Sequence, residues 1–257
     1  MEVSGLDSDG KAFKNAEEMW REQIGEEGEQ QQKKTQWYRE GVSYWEGVEA
    51  SVDGVLGGFG NVNEADIKGS EAFLQTLFSE RFPDAGRNQH LVALDCGCGI
   101  GRITKNLLIR YFNDVDLLEP VLLIFFVFHF RSLLQIPGKY DVIWIQWCIG
   151  HLTDDDFVSF FKRAKVGLKP GGFFVLKENI ARSGFVLDKE DRSITRSDVY
   201  FKELFSRCGL HIYKSKDQKG FPEELFAVKM YALTTEMPKR VSKNRSKGQA
   251  NRPGIIR

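Results

Sequence analysis

The chain has 257 residues, 42% of them hydrophobic and 28% charged, with a formal net charge of zero. This composition fits a soluble globular protein built as one large domain. Its four cysteines (Cys96, Cys98, Cys148, Cys208) exclude a disulfide scaffold, since two of them sit inside a glycine-rich turn. A reducing location fits, and the cytoplasm, with the nucleus, is the expected place. The N-terminus is polar and carries no apolar signal-peptide core. The ten-residue run VLLIFFVFHF (Val121–Phe130) is too short to cross a bilayer, which takes about 20 apolar residues, and reads as a buried strand or helix.

In chain order, residues 1–36 are rich in Glu, Gln, Lys and Gly and are expected to be a disordered extension, with one short helix at 12–24. Order is expected to begin at Trp37–Trp45, where aromatics recur at helical spacing. A glycine-dense loop, DGVLGGFG (Asp53–Gly60), precedes a helix over 70–82 that sets Phe73, Leu74, Leu77 and Phe78 on one face. Strands and helices then alternate. Strands are predicted at 90–94, 115–118, 141–147 and 172–177, and helices at 101–112, 154–168 and 198–208. Such alternation gives a mostly parallel sheet covered on both faces. Two late strands, 210–215 and 227–233, have no room for a helix between them and are expected to pair antiparallel. Residues 236–257 hold seven Lys/Arg against one acid, leaving 29 basic and 35 acidic residues in 1–235. They are read as a basic, disordered tail, with residues 37–235 as the catalytic domain. Nucleic acid is not expected as a partner, save for loose contact through that tail.

The stretch Asp95-Cys96-Gly97-Cys98-Gly99-Ile100-Gly101 follows the first strand of this alternation and opens a helix. Ligands of open α/β sheets bind at the carboxyl ends of the strands, and glycine lets the backbone approach them closely. Glu119 lies 22 residues beyond Gly97, at the end of the next strand, where an acid can accept hydrogen bonds from ribose hydroxyls. Dinucleotides and S-adenosylmethionine both use this layout. Three positions after Gly99 stands Arg102, not the Gly or Ala of the dinucleotide fingerprint. Asp95 would repel a pyrophosphate but suits a sulfonium or an ammonium.

The segments DGVLGGFG, ALDCGCGIGRITK, YDVIWIQWCIGHLTD, LKPGG, LKEN and VLDKEDRSITRS resemble the α-N-terminal protein methyltransferases, which act on chains beginning Xaa-Pro-Lys. The resemblance implies an α/β, Rossmann-like class I methyltransferase fold with an antiparallel edge, S-adenosyl-L-methionine as methyl donor, and protein N-terminal peptides as substrate. It implies cofactor contacts from Gly97, Gly99, Arg102, Glu119, Gln135 and Gln146. It implies substrate contacts from Leu56, Gly57, Trp147, Asn179, Asp188 and Ser193. His151 and Asp191 are the implied catalytic residues, and no metal is expected.

The pattern departs from the family between Pro120 and Tyr140. The family has a helix, a strand and an acidic loop there, too much for these 21 residues, so one strand–helix unit is expected to be shortened. Gln135 can stand in for an adenine contact, but Ile136 occupies the place of the acid that follows it. Two other readings stay open: a catalytically impaired isoform acting at most as a peptide-binding or interaction protein, and a small-molecule methyltransferase.

Overall fold

The computed structural model describes residues 3–26, 28–83, 89–119 and 136–237. From the N-terminus, β1 (Gly5–Asp7) and β2 (Ala12–Phe13) form a hairpin and lead into α1 (Ala16–Ile24) and α2 (Gln30–Gly47). After α3 (Val52–Val55) and α4 (Asn63–Arg81), the strand–helix alternation begins. It runs β3 (Val92–Cys96), α5 (Arg102–Asn106), β4 (Asp114–Leu118), β5 (Tyr140–Gln146), α6 (Asp154–Ala164) and β6 (Leu168–Ile180). A hairpin of β7 (Phe185–Asp188) and β8 (Ser193–Arg196), then α7 (Asp198–Arg207), β9 (His211–Asp217) and β10 (Ala227–Thr234), complete the described chain.

The central sheet has six strands among the described residues, in the order β4–β3–β5–β6–β10–β9. The first four are parallel, and β10 runs antiparallel to both β6 and β9. Side chains alternate across it with the two-residue period of a strand. Val142 and Trp144 of β5 join Phe73, Leu74 and Leu77 of α4 on one face. Ile143 and Ile145 join Phe157 and Phe161 of α6 and Phe201 and Phe205 of α7 on the other. Burying each such aromatic contributes about 1.5–3 kcal/mol. The helix α6 follows its sequence closely. Thr153 caps it by accepting from the Asp156 N–H, acids fill its first turn, and Lys162 and Arg163 its last, as the helix dipole favours.

Several expectations need correction. Of the segment 1–36, expected as a disordered extension with one short helix at 12–24, the described residues 3–26 and 28–36 are folded, and α1 falls within the expected helix. β1 pairs with β7, and Phe13, Met19, Trp20 and Ile24 are buried in the main core. Ala16, Met19, Trp20 and Ile24 form one apolar stripe at helical spacing, and Trp20 packs edge-on against Trp37 at 5.4 Å. A domain boundary at 36/37 would cut through α2. The helix expected over 101–112 is shorter, five residues of α5 followed by a turn of 3-10 helix at 108–110. The β7–β8 hairpin was not foreseen. The shortened unit, the run Val121–Phe130 and Gln135 fall on residues 120–135, outside the described residues, as does the basic tail beyond Met237.

Candidate active site

The parallel strands end at one edge of the sheet, and the first cavity opens there. β3 stops at Cys96, and the turn that follows sets Gly97, Gly99 and Gly101 at φ 67°, 51° and 75°, a region that penalises any side chain. A Cβ on Gly97 would lie 2.5 Å from the Cβ of Cys148, so only glycine fits. The turn is tied to the neighbouring strand. Gly97 N–H donates to the Leu118 carbonyl at 2.7 Å, and Gly99 N–H donates to Glu119 Oε2 at 2.5 Å. The cavity of about 380 Å³ above the turn is bounded by Gly97, Gly99, Arg102, Glu119 and Gln146, five of the six expected cofactor residues. Asp95 lines it as well. Burial pushes its carboxyl up to about 6, against the pull of the Thr104 hydroxyl at 2.6 Å.

Arg102 is buried, and its guanidinium is held from below. Its Nη1 donates to Asp66 Oδ2 at 2.6 Å and to Asn63 Oδ1 at 3.0 Å, both on α4. The Trp147 ring lies 5.5 Å from its Cζ. Asp66 is fully buried and also accepts from Gln146 Nε2 and from Lys177 Nζ. Burial lowers the Lys177 ammonium to about 8, although Asp66 holds it up.

A second cavity of about 260 Å³ adjoins the first, and Trp45, Val55, Trp147 and His151 line both. Leu56, Gly57, Asn179, Asp191 and Ser193 lie in its wall, with Glu178 and Phe221. Trp147 adopts φ 52°, rare for a bulky residue, and sits directly after β5 with its N–H on the Lys177 carbonyl at 3.1 Å. Its indole Nε1 is buried with no hydrogen-bond partner, and so is Asp191 Oδ1. Orphaned buried polar atoms are rare, and two of the four among the described residues belong to side chains that line this cavity. Burial raises the Asp191 carboxyl, while His151 and Ser193 pull it back. Glu178, whose Oε1 accepts from Ile149 N–H at 3.2 Å, is pushed up to about 7, again by burial.

Most of the expected residues therefore converge, with two changes. Asp188 does not line either cavity: its Oδ1 accepts from the N–H groups of Glu190 and Asp191 and shapes the β7–β8 turn. His151 lines both, but neither ring nitrogen faces a free proton. Its Nδ1 pairs with the Arg192 carbonyl at 3.0 Å, which fixes the hydrogen there, and its Nε2 accepts from Trp45 Nε1 at 3.0 Å. The geometry makes His151 a wall and a brace rather than a ready base. Sequence reasoning missed Asp66, Lys177, Glu178 and Trp45. Trp45 had a signal, an aromatic at the end of an amphipathic helix just before the glycine loop.

A parallel sheet whose first strand enters such a glycine turn, with an acid on the next strand and a guanidinium beside the same cavity, defines a Rossmann-like S-adenosylmethionine-dependent methyltransferase. The chain belongs to the AdoMet dependent proline di-methyltransferase family, whose pattern matches residues 33–131 and 122–234. It is 64% identical to the alpha N-terminal protein methyltransferase 1 of Arabidopsis thaliana, with all of both chains covered. It is 40% identical to the N-terminal Xaa-Pro-Lys N-methyltransferase 1 of Danio rerio, over 77% of this chain and 96% of the relative. A SAM-dependent methyltransferase structure from Leishmania major superposes with a TM-score of 0.77 and 38% identity, over 91% of this chain and 97% of the other. The two family matches overlap at 122–131, inside the atypical segment. The Arabidopsis alignment runs over 278 positions against the 257 residues here, so at least 21 of its positions have no residue in this chain.

Proposed function

We propose that the protein transfers methyl groups from S-adenosyl-L-methionine to the α-amine of protein N-termini of Xaa-Pro-Lys type. One observation carries the reading. The second cavity is lined by Asp191 and Trp147, whose Oδ1 carboxylate oxygen and Nε1 indole N–H are buried without a hydrogen-bond partner among the described residues. An N-terminus brings an ammonium for the first and a peptide carbonyl for the second.

The residues fit the cofactor. At Gly99 nothing lies within 4 Å of where a Cβ would stand, which leaves room for close approach; Glu119 suits ribose hydroxyls, and Arg102 has guanidinium N–H groups beyond Nη1 for the methionine carboxylate. When bound, S-adenosylmethionine supplies an electrophilic methyl on a sulfonium. The protein's own work is done on the acceptor. An α-ammonium has a pKa of about 7.7–8, so a modest base suffices. Asp191 Oδ1 takes its proton, which frees the nitrogen lone pair. His151, locked by Trp45 and Arg192, braces the wall that the two cavities share. Trp147 and Phe221, with ring centroids 6.3 Å apart, give the second-residue proline an apolar seat. Holding the amine against the donor supplies most of the rate. Among the described residues no helix is long and apolar enough to cross a membrane. A cytoplasmic protein with access to the nucleus fits this role.

Mass spectrometry of a Ser-Pro-Lys peptide incubated with protein and S-adenosylmethionine tests the reading. Methyl additions confined to the first residue support it; methylation of the lysine side chain, or none, sinks it. A second reading, a catalytically impaired isoform, draws on the break in the family match at the atypical segment. Peptide binding without turnover would favour it.

A further inference from the structure

Asp66 lies on α4 in the polar stretch Asn63-Glu64-Ala65-Asp66, where nothing in the sequence singles it out. Its side chain is nonetheless completely buried, and it lines neither cavity. It gathers three donors: Arg102 Nη1 at 2.6 Å, Gln146 Nε2 at 3.0 Å to each oxygen, and Lys177 Nζ at 2.5 Å. Two of these partners, Arg102 and Gln146, line the cavity of the glycine turn. Gln146 uses both ends of its amide, since its Oε1 accepts from Trp144 Nε1 at 3.1 Å. Its orientation is therefore fixed by Asp66 on one side and Trp144 on the other.

Arg102 is held just as tightly. Asp66 and Asn63 both engage Nη1, and the Trp147 ring limits tilting of the guanidinium plane. Among the described residues, no hydrogen bond engages Nε or Nη2. A guanidinium edge of this kind matches a carboxylate in two parallel hydrogen bonds. One buried anion, Asp66, sits between two cations, Arg102 and Lys177, and Asp95 on the same cavity also feels the Arg102 charge.

We propose that Asp66 is the positioning residue for the carboxylate end of the cofactor: it acts through Arg102, fixing the guanidinium so that its free edge meets that carboxylate. The inference rests on the reading of this cavity as the S-adenosylmethionine site. Asp66 touches no ligand itself.

The test uses calorimetry on the full chain with two ligands: S-adenosylhomocysteine, which has the carboxylate, and methylthioadenosine, which lacks the whole amino-acid end. For Asp66→Asn, affinity for S-adenosylhomocysteine should fall about 10- to 100-fold, as when a buried charged partner is removed. Affinity for methylthioadenosine should stay within about twofold. Asn63→Ala removes the second acceptor without disturbing buried charge; it should show the same selectivity, with a loss of about two- to fivefold. This variant decides the matter if Asp66→Asn does not fold. An equal loss for both ligands in both variants would mean that α4 supports the whole cavity, and overturns the proposal. So does unchanged affinity for S-adenosylhomocysteine. If the unsubstituted protein binds neither ligand, the cofactor reading itself fails and this inference with it.

Discussion

The two adjoining cavities are finished to different degrees. On the glycine-turn side, polar groups are already paired within the protein: Gly99 to Glu119, Arg102 to Asp66 and Asn63, Gln146 to Asp66 and Trp144. On the acceptor side two buried polar atoms, Trp147 Nε1 and Asp191 Oδ1, have no partner, and the backbone takes positive φ at both Trp147 and Arg192. The difference teaches where order comes from. The first cavity is preorganised by the sheet and α4. The second holds positive-φ backbone and unpaired buried atoms, as functional sites commonly do.

The contrast predicts separable losses. Asp191→Asn should lower peptide kcat/KM about 10²- to 10⁴-fold, the range for losing a positioned base, while cofactor affinity stays unchanged. Steady-state kinetics paired with calorimetry read both, and a matching loss of cofactor affinity would erase the distinction between the cavities. Because burial raises the Asp191 carboxyl, turnover should decline as pH falls through that raised value, and the decline should be absent in Asp191→Asn. Arg102→Ala should act in the opposite sense, costing cofactor binding about 2–5 kcal/mol through loss of a buried charged partner. Retained affinity would remove Arg102 from the site.

A third prediction concerns stability. The Glu178 carboxyl is raised from its ordinary 4.5 to about 7 by burial. The folded protein therefore favours the protonated form. Its contribution is fully present below about pH 4.5 and is lost as pH rises through 7. Glu178→Gln keeps an acceptor for Ile149 N–H and removes the buried charge. It should be more stable than the parent by about 3 kcal/mol at pH 8, with the gap closing below pH 5. Denaturant titrations at the two pH values check this, and a pH-independent gap would count against the assignment.

The smallest expected effect sharpens the comparison from a distance. β1 runs along β7, and Ser8 N–H donates to the Leu187 carbonyl at 2.8 Å, next to the turn that carries Asp191. A Cβ on Gly5 would meet the Phe185 ring at 2.5 Å. Gly5→Val should cost about 1–3 kcal/mol by overpacking. It should raise peptide KM while cofactor affinity holds. Equal KM in a folded variant would show that the turn keeps its shape without β1.

Much of this was legible in the chain, and the rest was hidden for identifiable reasons. The run DVIWIQW reads as a buried strand because it is apolar on both faces, and the structure buries every residue of β5. The glycine turn reads because strand, glycines and a downstream acid occur together. The antiparallel pairing of β9 and β10 followed from the missing room for a helix. By contrast, the helix expected within 12–24 is found as α1, but its burial was hidden, because the stripe of Ala16, Met19, Trp20 and Ile24 is diluted by Glu, Arg and Gln. The β7–β8 hairpin is four residues a side and bounded by acids, too short for a periodicity to show. Asp66 and Lys177 were invisible because charged residues are almost never fully buried unless paired, and pairing between α4 and β6 exists only in three dimensions.

On the proposed reading, the cavity lined by Asp191 and Trp147 takes a free N-terminus. Calorimetry with the protein saturated in S-adenosylhomocysteine tests it directly, by comparing a peptide beginning Ser-Pro-Lys with the same peptide acetylated at its N-terminus. The free-amine peptide should bind more tightly by about tenfold or more, since a charged hydrogen bond to Asp191 is worth about 1.5–3 kcal/mol, and Asp191→Asn should erase the difference. Equal affinity of the two peptides for the unsubstituted protein would contradict the account.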